Sequence, residues 1–315
     1  MKKTLNILLL LIATAASAQY NKENLSLDKT ASTTAYQYGN LRLYPIRAND
    51  SFFKVHRNLG KYLTLEQALK SEKIEVTETG TTRNDGTVNE LYVKNVSADT
   101  IMILSGEVVQ GGKQDRMIAQ DIILYPRQDK KKVTVYCVEH GRWQPKADGK
   151  SFKNYYSVSS NEVRKAGTVS KNQQEVWNKV ADATSKNQAE SSTGTLAALK
   201  SSGTFTTDLK KYTDHFQKVL ITEANVIGFV AVSGDRILGC DMFATHSMLT
   251  DHYSGLINSY ATEAITSGKP VTIQAEEVNK YLLTIITDEQ KQDTEINKKG
   301  TQLKEKNRKL HISTF

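Results

Sequence analysis

From Leu41 to Glu139 the apolar residues return at every second position in short runs broken by turn residues, and only beyond Asn161 do they return at three- and four-residue steps. Alternation lays one apolar face on a strand and the longer step lays one on a helix, so the two halves must form different secondary structure. Leu41 to Ile46, Ser51 to His56, Ile74 to Thr79, Glu90 to Asn95, Thr100 to Leu104, Met117 to Tyr125 and Lys132 to Glu139 read as strands, with Asn84-Asp85-Gly86 as one of the turns. Thr64-Leu65-Glu66-Gln67 fits a capping box that opens a short helix through Leu69. Later, Gln173 to Ala183, Asp208 to Glu223, the segment carrying Leu249, Tyr253, Leu256, Tyr260, Ala264 and Ile265, and Glu276 to Ile286 read as helices. Val226 to Val232 and Arg236 to Met242 flank the turn Ser233-Gly234-Asp235 as a hairpin, and Leu310 to Phe315 alternates like a final edge strand.

The expected fold is therefore α+β: a mainly antiparallel N-terminal sheet packed with a C-terminal helix-hairpin-helix region. No Pro/Gly linker separates the halves, so residues 41–315 are expected to form a single domain. Residues 19–40, rich in Asn, Ser, Thr and Lys, read as a flexible lead-in, and Ser191 to Ser202 as a loop or mobile insertion.

Residues 1–18 have the three parts of a secretory signal: Lys2 and Lys3, the apolar run Ile7 to Ile12, and small residues ending in Ala16-Ser17-Ala18. The run is shorter than the about 20 apolar residues a membrane span needs, so cleavage before Gln19 and export to a periplasmic or extracellular site are expected, without membrane insertion afterwards. The formal charge of +8 includes Lys2 and Lys3, so the mature value is 8 − 2 = +6. Such an excess suits a small anionic partner. Nucleic acid is not expected, because no recognition motif and no aromatic-basic interleaving is present. Cys137 and Cys240 would permit one disulfide after export, but each lies in an apolar run where cysteine is usually a small buried hydrophobe.

Two polar groupings could carry chemistry. Gly106-Glu107-Val108-Val109-Gln110-Gly111-Gly112-Lys113-Gln114-Asp115-Arg116 joins two strands, with glycines that let backbone approach a ligand and with cations at Lys113 and Arg116. It is not a P-loop, because the glycine register is wrong and Gln114 follows the lysine. In Cys137-Val138-Glu139-His140-Gly141-Arg142-Trp143, alternation puts Cys137 and Glu139 on one face and His140 on the other, which disfavours a Cys-His dyad. Arg142 suits a bidentate grip on phosphate or carboxylate, and Trp143 suits stacking. The competing reading makes Glu139 and Arg142 a buried ion pair beside a core tryptophan. Trp177 reads as a helix anchor in the core. His246 and His252, six helical residues apart, face different directions, and no metal-ligand spacing appears, so neither a metal nor a cofactor is expected.

Together, Leu104-Ser105-Gly106-Glu107, Lys113-Gln114-Asp115-Arg116, Cys137 to Trp143, Gln174 to Trp177, Val226-Ile227-Gly228 through Asp241-Met242-Phe243, and Ser259-Tyr260-Ala261 resemble the ARG and Rhodanese-Phosphatase-superfamily-associated domain family, where ARG denotes ADP-ribosylglycohydrolase. Gly112 and Asp115 depart from the residues more familiar there, Ala and Asn. The resemblance implies a ligand of ADP-ribose or phosphate metabolism. The expected function is an exported binding or accessory protein that holds a phosphorylated or ADP-ribose-like molecule through Lys113, Gln114, Arg116, Arg142 and Trp143. A hydrolase with Glu107 and Glu139 as acid and base is one alternative, and a structural or partner-binding periplasmic protein is another.

Overall fold

A computed structural model describes residues 19–31, 33–80, 88–144, 149, 151–287 and 289–315. It is α+β, and among the described residues its strands form three sheets. The Asn84-Asp85-Gly86 turn lies outside the described residues.

The largest sheet is antiparallel and runs Leu25–Leu27, Leu41–Ala48, Val226–Ser233, Arg236–Phe243, Arg308–Thr314, Gly300–Glu305, with Gln37–Tyr38 also on Leu41–Ala48. Every residue of Val226–Ser233 is buried, because both faces of this sheet are covered. On one side Phe229 and Phe243 meet Leu256 and Tyr260 of the helix His246–Ser267. On the other, Ile227 and Val230 meet Phe52, Val278 and Leu282 from the helices Asp50–Val55 and Ala275–Ile285. The apolar run from Val226 to Val232 is thus that of a strand buried twice over, not of one face turned to water.

The second sheet has the order Phe152–Val158, Glu107–Gly111, Arg116–Ile118, Lys131–Cys137, Glu90–Asn95, Ile74–Glu78. Its two outer strands meet at a bridge between Thr77 and Ser151, so the sheet rolls almost closed around Val76, Leu91, Val109, Val135 and Phe152. A small third sheet, Ile122–Leu124, Thr100–Ile103 and Tyr62–Thr64, includes one parallel pair. The capping box at Thr64 and Gln67 opens the helix Leu65–Lys70.

Several expectations are corrected. Residues 19–31 and 33–40 are not a loose lead-in: Tyr20, Leu25 and Leu27 are buried against Ile46 and Phe52. Each such side chain contributes roughly 1.5–3 kcal/mol of apolar burial, which offsets the entropy of ordering a polar segment. Ser51 to His56 is not a strand, because the Asn49 side chain accepts from the Ser51 and Phe52 N–H groups and caps a helix. Residues 116–124 form two strands that belong to different sheets. Residues 196–201 form a 3₁₀ turn anchored by buried Leu196 and Leu199, so 191–202 is no mobile insertion. Arg308–Thr314 is an inner strand, since Gly300–Glu305, hidden in the charged tail, pairs outside it. Cys137 and Cys240 are both free and buried.

Candidate functional site

The tight turn after Glu107–Gly111 positions the first motif. Gly111 and Gly112 have φ of 144° and 46°, and a Cβ on Gly112 would lie 2.4 Å from the Phe152 ring and 2.6 Å from a Glu78 oxygen. The turn therefore has no room for an alanine at position 112. The turn sends Asp115 back under its own strand, where Oδ1 accepts from the Gly111 N–H at 3.2 Å and Oδ2 accepts from Gln110 Nε2 at 3.1 Å.

Here the second motif joins the first. Glu139 Oε2 accepts from the Asp115 N–H at 3.1 Å and pairs with Arg142 at 2.6 Å, while Arg142 also reaches Asp115 at 3.2 Å. The guanidinium donates further to the carbonyls of Gly111, Gly112 and Gln144. Burial pushes the Glu139 carboxyl up, but Arg142 and the Asp115 N–H outweigh it and hold the group below the usual range. Arg142 and Glu139 are thus committed to each other and to the turn, which corrects the ligand-gripping role expected of Arg142. The extra charge of Asp115 is compensated by Arg142.

Arg116 is different. It is fully buried, its Nη1 donates to Gln114 Oε1 at 3.3 Å, and its nearest carboxylate is Glu78 at 3.8 Å. Among the described residues its Nε and Nη2 make no hydrogen bond, and Nη2 is the atom that faces Glu78. Gln114 in turn donates to the His140 carbonyl at 3.1 Å, so it positions Arg116. Over this pair lies Trp143, 45% exposed rather than in the core, with its ring 5.1 Å from Lys113 Nζ and 6.0 Å from the Arg116 guanidinium carbon. Lys113, Gln114, Arg116 and Trp143 are therefore brought together. Glu78, which accepts from the Lys113 N–H at 2.8 Å, was missed because nothing in its strand marks it as more than an alternating polar residue.

Glu107 does not join them. It sits at the other end of a five-residue strand, which at about 3.4 Å per residue leaves it roughly 13 Å from the Glu139 end. That exceeds the roughly 5–10 Å over which two carboxylates divide acid and base roles, so the expected Glu107–Glu139 pair is not formed. Burial instead raises the Glu107 carboxyl to about 8, despite hydrogen bonds from the Leu104 N–H and Tyr155. A folded pKa above the unfolded one means stability that is complete below the unfolded value and lost as pH rises toward about 8. Glu107→Gln should keep the hydrogen bonds and flatten this loss. Urea titrations between pH 5 and pH 8 check it, and equal slopes in both proteins would refute the assignment.

A second charged group was not anticipated. Asp121, Arg164, Asp241 and His311 are all buried, with His311 Nδ1 2.6 Å from Asp121 and Nε2 3.1 Å from Asp241. Arg164 pairs with Asp241 at 3.1 Å and donates to Ser313 Oγ at 3.0 Å, and Tyr260 donates to Asp241 at 2.7 Å. The Arg164 side chain lies against Gly106, where φ is 92° and a Cβ would fall 2.5 Å from Arg164 Cγ. Burial pulls the His311 imidazole down, but the two aspartates more than reverse this and raise it to about 9. A cue existed in the sequence, since Asp241 and His311 are charged residues set inside apolar strand runs. His252 stacks on Phe243 nearby and burial lowers it to about 3.

The model of one family, the ARG and Rhodanese-Phosphatase-superfamily-associated Protein domain, matches residues 29–314. No curated protein and no solved structure matches the chain.

Proposed function

The chain belongs to the ARG and Rhodanese-Phosphatase-superfamily-associated Protein domain family, and on that premise we propose that it is a binding protein for a small phosphorylated molecule of the ADP-ribose kind. The observation that carries the reading is Arg116, a fully buried guanidinium whose Nε and Nη2 make no hydrogen bond among the described residues, Nη2 having only a long ion pair with Glu78 at 3.8 Å. Leaving such donors unmade costs about 1–3 kcal/mol, more for a charged group, and a phosphate oxygen would relieve that cost once the Trp143 ring that overlies the guanidinium moves aside. Lys113 adds a second cation, and Trp143 offers a half-exposed ring to stack on a base or sugar. Gln114 orients the guanidinium, while Asp115, Glu139 and Arg142 fix the turn.

Export is part of the proposal and rests on Lys2, Lys3, the apolar run and Ala16-Ser17-Ala18. The separation of Glu107 from Glu139 is why binding is preferred to hydrolysis. Isothermal titration with ADP-ribose, phosphosugars and nucleotides should give at least one saturable isotherm. Trp143→Ala, a change at a half-exposed position, should weaken it about tenfold, or about 1.4 kcal/mol. Silence across the panel, or affinity indifferent to Trp143→Ala and Lys113→Gln, would remove the proposal.

A further inference from the structure

We infer that the groove between the helix Gln173–Lys186 and residues 190–194 is a separate binding site for a neutral, hydroxyl-rich ring, a saccharide. It encloses about 400 Å³, within the size of small-ligand sites. Its aromatic wall is Trp177, which is half-buried rather than a core anchor, with the exposed His140 ring edge-on at 4.4 Å. The indole offers a broad apolar face, and its buried Nε1 makes no hydrogen bond among the described residues. A sugar has the same double character, with C–H faces flanked by hydroxyls.

The polar groups around Trp177 are left with capacity that matches hydroxyls. Gln174 Nε2 donates to Asn178 Oδ1 at 3.0 Å, which leaves the Gln174 carbonyl as an acceptor and the Asn178 amide as a donor. Ser191 Oγ accepts from the Thr195 N–H at 3.2 Å and keeps its own proton to donate. Glu190 is exposed and in no ion pair among the described residues, so its two oxygens are available to a pair of adjacent hydroxyls. The rim is preformed, since the Gly194 N–H bonds Ser191 at 3.0 Å and the Gly141 N–H bonds Thr193 at 2.8 Å.

Charge decides the ligand class and separates this site from the Arg116 site. No lysine or arginine lines the groove, and its one full charge is that of Glu190. A phosphate placed here would find no lysine or arginine among the lining residues to neutralise it and would be repelled by Glu190, whereas an uncharged polyol would not. The groove is therefore independent of the proposal for Arg116 and stands if that one fails.

Saturation-transfer difference NMR with glucose, galactose, N-acetylglucosamine and their β-1,4-linked dimers tests the inference on the full mature chain. Transfer to at least one sugar is expected, undiminished by excess inorganic phosphate. Glu190→Gln and Asn178→Ala, both at exposed positions, should weaken it about tenfold with unchanged Tm. The inference is overturned by absence of transfer to every sugar, by transfer undiminished in both variants, or by displacement with phosphate.

Discussion

Replacing Asp241 by alanine is expected to cost about 3–5 kcal/mol of folding stability, the usual penalty for removing one partner from a buried ion pair. Asp241 accepts from Arg164, His311 and Tyr260, all of which are buried. Its loss leaves two cations in the interior with only Asp121 between them. For a chain of this size each kcal/mol is worth roughly 2–4 °C in Tm, so the drop should be plain in a urea titration followed by circular dichroism. A loss below about 1 kcal/mol, in the range of a surface pair, would show that water reaches this cluster and that it is not a junction of the fold. Arg164→Met should fall in the same range, and the double variant should cost much less than the sum of the two, as groups in direct contact do.

The second large effect is in pH. His311 titrates at about 9 in the folded chain and near 6.5 when unfolded. A raised pKa gives stability that is complete below 6.5 and is lost as pH rises through about 9. The difference is worth on the order of 3 kcal/mol. Asp121 and Asp241 have the opposite sign, because burial raises them but His311 and Arg164 pull them below the ordinary carboxylate range. Their contribution is present above that range and disappears in acid. Stability should therefore fall at both ends, in acid through Asp121 and Asp241 and on the alkaline side through Glu107 between about 4.5 and about 8 and through His311 between about 6.5 and about 9. His311→Gln should be less stable at neutral pH and should lack the upper part of the alkaline fall. Retention of that part would assign it to another group.

The elements with strong periodicity were legible. The hairpin at 226–243 and the helix at 246–267 lie where the apolar spacing puts them, and the capping box at Thr64 where its Thr-x-x-Gln word does. Segments held by a few buried side chains in polar company were not, because Tyr20, Leu25, Leu27 and Leu303 are too sparse to form a pattern. Gly300–Glu305 was hidden for that reason. At the candidate site, glycines and charged words marked Lys113, Gln114, Arg116 and Trp143 as a group. What no local word carries is which carboxylate answers which cation. Arg142 looked as available as Arg116, and only tertiary pairing gave it to Glu139 and Asp115.

The largest sheet seats Leu41–Ala48 directly against Val226–Ser233, and Arg308–Thr314 lies just beyond the hairpin. Leu41–Ala48, already flanked by Leu25–Leu27 on one edge, thus waits for its other neighbour, made nearly two hundred residues later. Contacts so distant along the chain make for slow folding. Until the last of them emerge from the ribosome, Leu41–Ala48 is an unclaimed edge able to pair with a second nascent chain.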